Sequence, residues 1–416
     1  MTAVNGLSNA KPGKKSLVLN AFVESCGYDV YNGPRNLDPA IRSGAQWPVN
    51  EPLAIVPPMA AVTKNLGFGV TVATTYEQPY HLARRLSTIV TGYLDSAARN
   101  LGHTEQPEHD ERYAIAEEYL EVMYKLFESS WREDAVVLDA KRAVYTDPTR
   151  VREINHVGKH YTVPGPHICQ PSRQRTPVLM QAGTSKAGKT FAAKHAEAIF
   201  VAGHSPSVIA KNVAEVRALA KELGRAPQNI KFLALICPIL GKTEEEAQKK
   251  FDEYSAFGSI EGALALFGGW TGIDLAKYDD DEELRHVESN AIRSAVEAWS
   301  KSSPGVAKWT KLTVAKHITV GGLGATVVGT AAQVADEFER WIDEADVDGF
   351  NIAYAIKPGT FEDVIELLLP ELRARDLFWD DYAVEGGTYR ENIYKQKGQS
   401  GLLPDHPASG YRWKAE

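Results

Sequence analysis

The chain has 416 residues, 44% of them apolar and 24% charged, which is ordinary globular composition with room for a large core. Lys+Arg 46 against Asp+Glu 54 gives a net charge of −8, which argues against non-specific nucleic-acid binding or a polybasic membrane contact. Three cysteines standing far apart (Cys26, Cys169 and Cys237), with no CxxC, rule out a disulfide framework and a Cys-rich zinc site. No apolar run reaches membrane-spanning length, and the opening MTAVNGLSNAKPGKK has no apolar core of a secretory signal, so the expectation is a cytoplasmic protein.

In chain order, residues 16–23 (SLVLNAFV) read as a strand. No complete helix–strand unit is legible over 27–66. Residues 67–75 (GFGVTVATT) form the next strand, followed by a stub at 89–91. A helix over 111–131 carries Ile115, Tyr119, Leu120, Met123, Leu126 and Phe127 on one face. Further strands are predicted at 177–182, 197–202, 231–240 and 349–354. They are apolar on both faces, as expected of parallel strands buried on both sides. Helices open at Ser207, at Thr243 with Glu246, at Thr330 with Gln333, and at Thr360. Alternation of strand and helix predicts an α/β protein with a parallel sheet, and a closed barrel is suggested by the order. Residues 255–328 show helical pieces and Gly-rich turns but no clear strand, and read as an insertion over one end of the sheet. The polar stretch 380–416 reads as a tail wrapping the surface.

The sharpest local pattern is GTSKAGKT at 183–190, which fits the P-loop expression GxxxxGK[ST] between a strand and a helix. No later strand ends in the Asp that would serve a bound magnesium ion, which weighs against a nucleotide triphosphatase. The underlying physics holds for any phosphate: free amides at a helix N-terminus, with Gly183, Thr184 and Ser185 in the turn, favour an anion. The competing reading is a plain strand–helix turn with a serine cap. A second cluster, TTYEQPYH at 74–81, ends a strand, and Thr75 stands where parallel α/β folds place their sites. A third, EHDERY at 108–113, opens a helix. Its acids suit that position without further function, no second His follows at ligand spacing, and Tyr113 is within reach of a phosphate. No GxSxG, HExxH or local cysteine signature is present.

Taken together, LVLNAFVESC, WPVNEPL, MAAVTKNLGFGVTVATTYEQPYHLARRLST, LDSAARNLG, EHDERYAIAEEYLEVMYKLFESSW, INHVGKHYTVPGPH, QAGTSKAGKTFAAKHAEAIF and DGFNIAYAIKPGTFEDVIELLLPEL resemble the bacterial-luciferase-like flavin monooxygenases. The similarity is to the branch acting on nitrilotriacetate, dibenzothiophene sulfone and long-chain alkanes. It runs in order along nearly the whole chain. The resemblance implies a single TIM (β/α)8 barrel over 1–416 with an insertion over its C-terminal face, and a homo-oligomer. It implies reduced FMN as co-substrate, delivered by a separate NAD(P)H:flavin reductase. Reaction of that flavin with O2 gives a C4a-peroxyflavin that oxidises a small organic substrate, so no protein nucleophile is required. By the same resemblance Gly183, Thr184, Ser185 and Tyr113 hold the phosphate, Thr75 and Thr91 lie beside the ring, and Tyr28, Gln46 and Tyr93 belong to the catalytic pocket.

Two departures accompany the match. Cys26 runs directly into Gly27-Tyr28-Asp29, where the family has a helix and the second barrel strand. Leu86-Ser87-Thr88 runs directly into Ile89-Val90-Thr91, where the family has a Gly-Arg turn and a Trp-Asn pair. These predict an incomplete barrel, lacking the second strand and part of the fourth, and an alternative role as a flavin-binding remnant that is non-catalytic or releases peroxide.

Overall fold

In the computed structural model the described residues are 15–22, 42, 52–75, 77–85, 88–90, 105, 107–183, 185–271, 274–284 and 308–415. The strands are β1 (Val18–Ala21), β2 (Thr71–Ala73), β3 (Thr88–Val90), β4 (Val136–Asp139), β5 (Val144–Thr146), β6 (His156–Val157), β7 (Thr162–Val163), β8 (Met180–Ala182), β9 (Ala198–Val201), β10 (Lys231–Leu240), β11 (Ala325–Gly329) and β12 (Gly349–Ile352). The helices are α1 (Pro52–Val62), α2 (Pro79–Arg85), α3 (His109–Tyr124), α4 (Lys186–His195), α5 (Pro206–Glu222), α6 (Glu244–Ala256), α7 (Ile260–Thr271), α8 (Lys311–Ile318), α9 (Ala331–Ala345), α10 (Gly359–Asp363), α11 (Leu369–Ala374) and α12 (Tyr389–Tyr394).

The sequence KFLALICPIL makes β10 the spine of the sheet, because it is apolar on both pleat faces and buried along nearly its whole length. It pairs in parallel with β9 on one side. On the other, residues 233–236 pair with β12 and residues 236–240 with β11. The sheet continues from β9 to β8 and from β12 to β1, every pairing parallel. A separate parallel pair, β2–β3, lies with β3 beside β8. This curved parallel array, with helices packed outside it, has the architecture of a TIM barrel of luciferase-like type. Among the described residues β1 pairs only with β12 and β2 only with β3, so no ladder joins β1 to β2.

The main core lies between this sheet and α5 and α9. Phe338 of α9 stacks on Phe350 of β12 at 3.9 Å, with Trp341 edge-on behind it. A second core surrounds α3, where Tyr119, Leu120, Met123, Leu126 and Phe127 are buried as the periodicity requires, and the last two lie in a wider π turn. The stretch 255–328 has a core of its own built on Phe267, Leu275, Trp309, Val314 and Ile318.

Three features were not foreseen from the sequence. β11 is a sheet strand inside the stretch read as strand-free; it is short, and glycines at 321, 322 and 324 precede it, so no apolar run announces it. The hairpins β4–β5 and β6–β7 fill the stretch between α3 and β8 with antiparallel pairs too short for a periodic signal. Thr360 does not cap a helix. Its Oγ1 accepts hydrogen bonds from the amides of Ala355 and Ile356, tying down the loop before α10.

The stretch beyond residue 380 is locked down by Arg390, which is fully buried. Its Nε donates to Glu197 Oε1 at 2.7 Å and its Nη2 to Oε2 at 2.9 Å, and further donors reach the carbonyls of Thr176, Pro177 and Ser400. Burial opposes ionisation of Glu197, yet Arg390 holds its carboxyl below the usual range. Arg390→Ala is expected to leave a buried carboxylate without its cation and to cost about 3–5 kcal/mol, read as a lower urea midpoint in equilibrium unfolding.

Candidate active site

β8 ends at Ala182, and the chain turns through Gly183 into α4. Gly183 has φ +139°, a region that side chains rarely adopt. Ser185 caps α4, its Oγ accepting a hydrogen bond from the amide of Gly188 at 3.1 Å. The other first-turn amides have no helical carbonyl to bond and, with the helix dipole, give this end partial positive charge.

Two side chains from α3 meet this turn. A Cβ built on Gly188 would stand 2.7 Å from the Tyr113 hydroxyl, and one built on Gly183 would stand 3.5 Å from it. The glycines are therefore the space in which that hydroxyl sits. His109 Nε2 lies 3.2 Å from Ser185 Oγ, and its Nδ1 lies 2.9 Å from Asp110 Oδ1. With Nδ1–H donating to the carboxylate, Nε2 accepts from the serine hydroxyl in the neutral ring and becomes a donor on protonation. The Tyr113 ring is held between His109 (5.2 Å) and Phe191 (5.6 Å).

Two buried polar atoms without a hydrogen-bond partner lie just beyond β2 and within β8. Thr75 stands two residues beyond β2, and its buried Oγ1 has no hydrogen-bond partner. Gln181, within β8, is buried and its Oε1 is likewise unbonded, while its Nε2 would stand 3.1 Å from a Cβ on Gly183. Unpaired buried polar atoms cost free energy that a ligand can recover. A cradle of neutral donors and helix amides beside the unbonded Gln181 oxygen fits a phosphate ester that carries a polar ring.

The rest of the P-loop pattern has other work. Lys189 Nζ donates to Glu215 Oε2 of α5 at 2.6 Å, and Thr190 Oγ1 donates back to the Lys186 carbonyl. Neither side chain is free to turn toward an anion at the turn. Thr184, Thr91, Tyr28, Gln46 and Tyr93 lie outside the described residues. Phe267 is part of the core of the 255–328 stretch. Sequence reasoning missed His109 and Gln181. For His109 the signal was its four-residue spacing from Tyr113, which puts both on one face of α3.

The luciferase-like monooxygenase family model matches residues 24–348 of the chain. The chain belongs to that family. It is 46% identical to the dimethyl-sulfide monooxygenase of Hyphomicrobium sulfonivorans over 92% of this chain and 82% of the relative. It is also 46% identical to the long-chain alkane monooxygenase of Geobacillus thermodenitrificans (strain NG80-2), over 92% of this chain and 84% of the relative. A crystal structure of a riboflavin lyase with modified FMN and riboflavin is 31% identical, with a TM-score of 0.80 over 96% of this chain and 88% of that one. Among the described residues of this luciferase-like protein no helix is long and apolar enough to cross a membrane, and no group of three or more His, Cys, Asp or Glu could hold a metal ion.

Below α4 the luciferase-like chain buries a neutral histidine. His406 Nε2 donates to the His195 carbonyl at 2.9 Å, and its Nδ1 accepts from the Ala408 amide at 3.1 Å. Burial lowers its pKa to about 4 from an ordinary 6.5. The unfolded chain therefore binds the proton first. Stability is expected to fall as pH drops from about 6.5 towards 4. This group alone should lower the melting temperature by about 2 °C between pH 7 and pH 5, and His406→Gln should remove that share of the slope.

Proposed function

We propose that this protein is a flavin-dependent monooxygenase that takes reduced FMN from a separate NAD(P)H:flavin reductase and transfers one oxygen atom of O2 to a small apolar organic substrate. The observation that carries this reading is the turn at Ser185, with the Tyr113 hydroxyl set against Gly183 and Gly188 and His109 at the cap. Family membership and the modified FMN named with the riboflavin lyase structure support it.

Bound reduced flavin would supply the electrons that activate O2. The chain's own residues bind and orient. Ser185, Thr184 and the first amides of α4 would hold the phosphate, with Tyr113 donating its hydroxyl. His109 would add a second donor from Nε2 when protonated. Thr75 and Gln181 would pair their buried polar atoms with the polar edge of the ring, and Thr91 would join them. Tyr28, Gln46 and Tyr93 would line the substrate side. No protein nucleophile is needed, so the demands on the site are grip, orientation and exclusion of water. We also infer a cytoplasmic homo-oligomer.

A second reading is favoured by the lack, among the described residues, of a ladder between β1 and β2. The two relatives named above extend beyond what this chain covers, at 82% and 84% of their lengths. A wall interrupted there would admit water, and the protein would then bind flavin but release hydrogen peroxide uncoupled from product.

The test is anaerobic titration with reduced FMN, then addition of 18O2 with dialkyl sulfides and n-alkanes. The proposal expects labelled product. Peroxide alone supports the second reading, and no binding of reduced FMN sinks both. Ser185→Ala and Tyr113→Phe should each weaken FMN about 10-fold, as for loss of one hydrogen bond to a charged group. Gly188→Ala should do the same by displacing the Tyr113 hydroxyl. Lys189→Ala should change FMN affinity less than about twofold, because its amine is committed to Glu215, whereas a phosphate-binding lysine would lose far more.

A further inference from the structure

The two helices that meet at the phosphate turn are joined again at their far ends. On α3, His109, Tyr113 and Glu117 recur at four-residue spacing and so share one face, and Tyr124 closes the helix. On α4, Ser185, Gly188, Phe191 and His195 form the facing row. His109 meets Ser185, Tyr113 meets Gly188 and Phe191, and Glu117 meets Lys194 and His195. Lys194 Nζ donates to Glu117 Oε2 at 2.6 Å, and His195 Nε2–H donates to the same oxygen at 3.0 Å. The Tyr124 hydroxyl donates to His195 Nδ1 at 2.9 Å, which fixes the ring as the Nε2–H tautomer.

The carbonyl end of α4 is tied as well. Arg225 Nη1 donates to the carbonyls of Ala193 and Ala196, both at 2.9 Å, and His406 donates to that of His195. Burial alone would raise the Glu117 carboxyl, yet His195 and Lys194 hold it down at about 2, so it stays ionised at neutral pH. Helices packed through apolar contacts alone can slide by fractions of an ångström at low cost, whereas two donors converging on one carboxylate oxygen oppose such a slide. From Ser185 to His195 is ten residues, roughly 15 Å of helix. A slide anywhere along that length moves Ser185 away from His109 and Tyr113.

We propose that Glu117, Lys194, His195 and Tyr124 form a clamp that sets the register of α4 against α3 and thereby the phosphate affinity of the turn. They are positioning residues at the far end of α4 from the turn. The proposal rests on the phosphate reading of the turn given above. Its signature is selectivity. A displaced turn weakens ligands that carry the phosphate and spares ligands that lack it.

The test compares dissociation constants of FMN and riboflavin, followed by flavin fluorescence on the full chain, with melting temperatures alongside. Glu117→Ala should lower the FMN-to-riboflavin affinity ratio about 10-fold, the size usual for loss of a group that orients a ligand's direct contacts. Glu117→Gln, whose amide oxygen still accepts from His195 Nε2, should restore most of it. Asp363→Ala, which breaks the remote Lys250–Asp363 pair, should lower the melting temperature and keep the ratio. If Glu117→Ala does not fold, Tyr124→Phe, which loses only the hydroxyl that bonds His195, carries the same expectation, and Lys194→Met, which keeps the Glu117–His195 bond, should lower the ratio less. An unchanged ratio in the folded clamp variants overturns the clamp, and so does an equal fall in Asp363→Ala. A wild-type chain that binds FMN no better than riboflavin overturns the phosphate reading itself.

Discussion

The amides left without carbonyl partners at the start of α4 organise much of what surrounds them. A helix following a parallel strand must begin somewhere, and its first donors must be met by a cap, water or an anion. Ser185 meets one of them. The rest face a space kept open by two glycines and bordered by Tyr113 and His109. Any side chain at Gly188 would crowd the Tyr113 hydroxyl. The phosphate reading thus follows from what the turn leaves unsatisfied, more than from the motif that first draws the eye.

The same economy of donors recurs away from the site. Buried arginines here are spent on backbone carbonyls as much as on carboxylates. Arg390 ties the stretch beyond residue 380 to the strands that lead into β8 and β9. Arg225 closes the far end of α4. Arg217 of α5 reaches the carbonyl of Pro227 and the carboxylate of Asp348, which in turn accepts from the amide of Phe232. Each ties two separate segments together at a point where water cannot satisfy the backbone. A turn that must hold an anion benefits from a frame that does not drift.

Much of this was readable in the residues. The continuous apolar run KFLALICPIL could hardly be other than a buried parallel strand, and it is one for its full length. The apolar face of α3, the caps at Thr243 and Thr330, and the Gly–Ser turn into α4 stand where periodicity and capping chemistry put them. β11 was invisible because a five-residue strand behind glycines carries no period of its own. Lys189-Thr190 looked like half of a nucleotide site because a pattern of letters records neither the direction of a side chain nor the acid waiting on the next helix.

Local chemistry, then, was settled by the chain alone: which runs are buried strands, where helices start, and that Ser185 caps the helix that follows the glycine turn. Those are decided within a few residues by backbone sterics, pleat alternation and capping. Only the tertiary structure could decide that His109 and Gln181 stand at that turn, that Lys189 does not, and that β1 and β2 lack a common ladder among the described residues. Those depend on contacts between segments tens to hundreds of residues apart, and no local preference encodes such a distance.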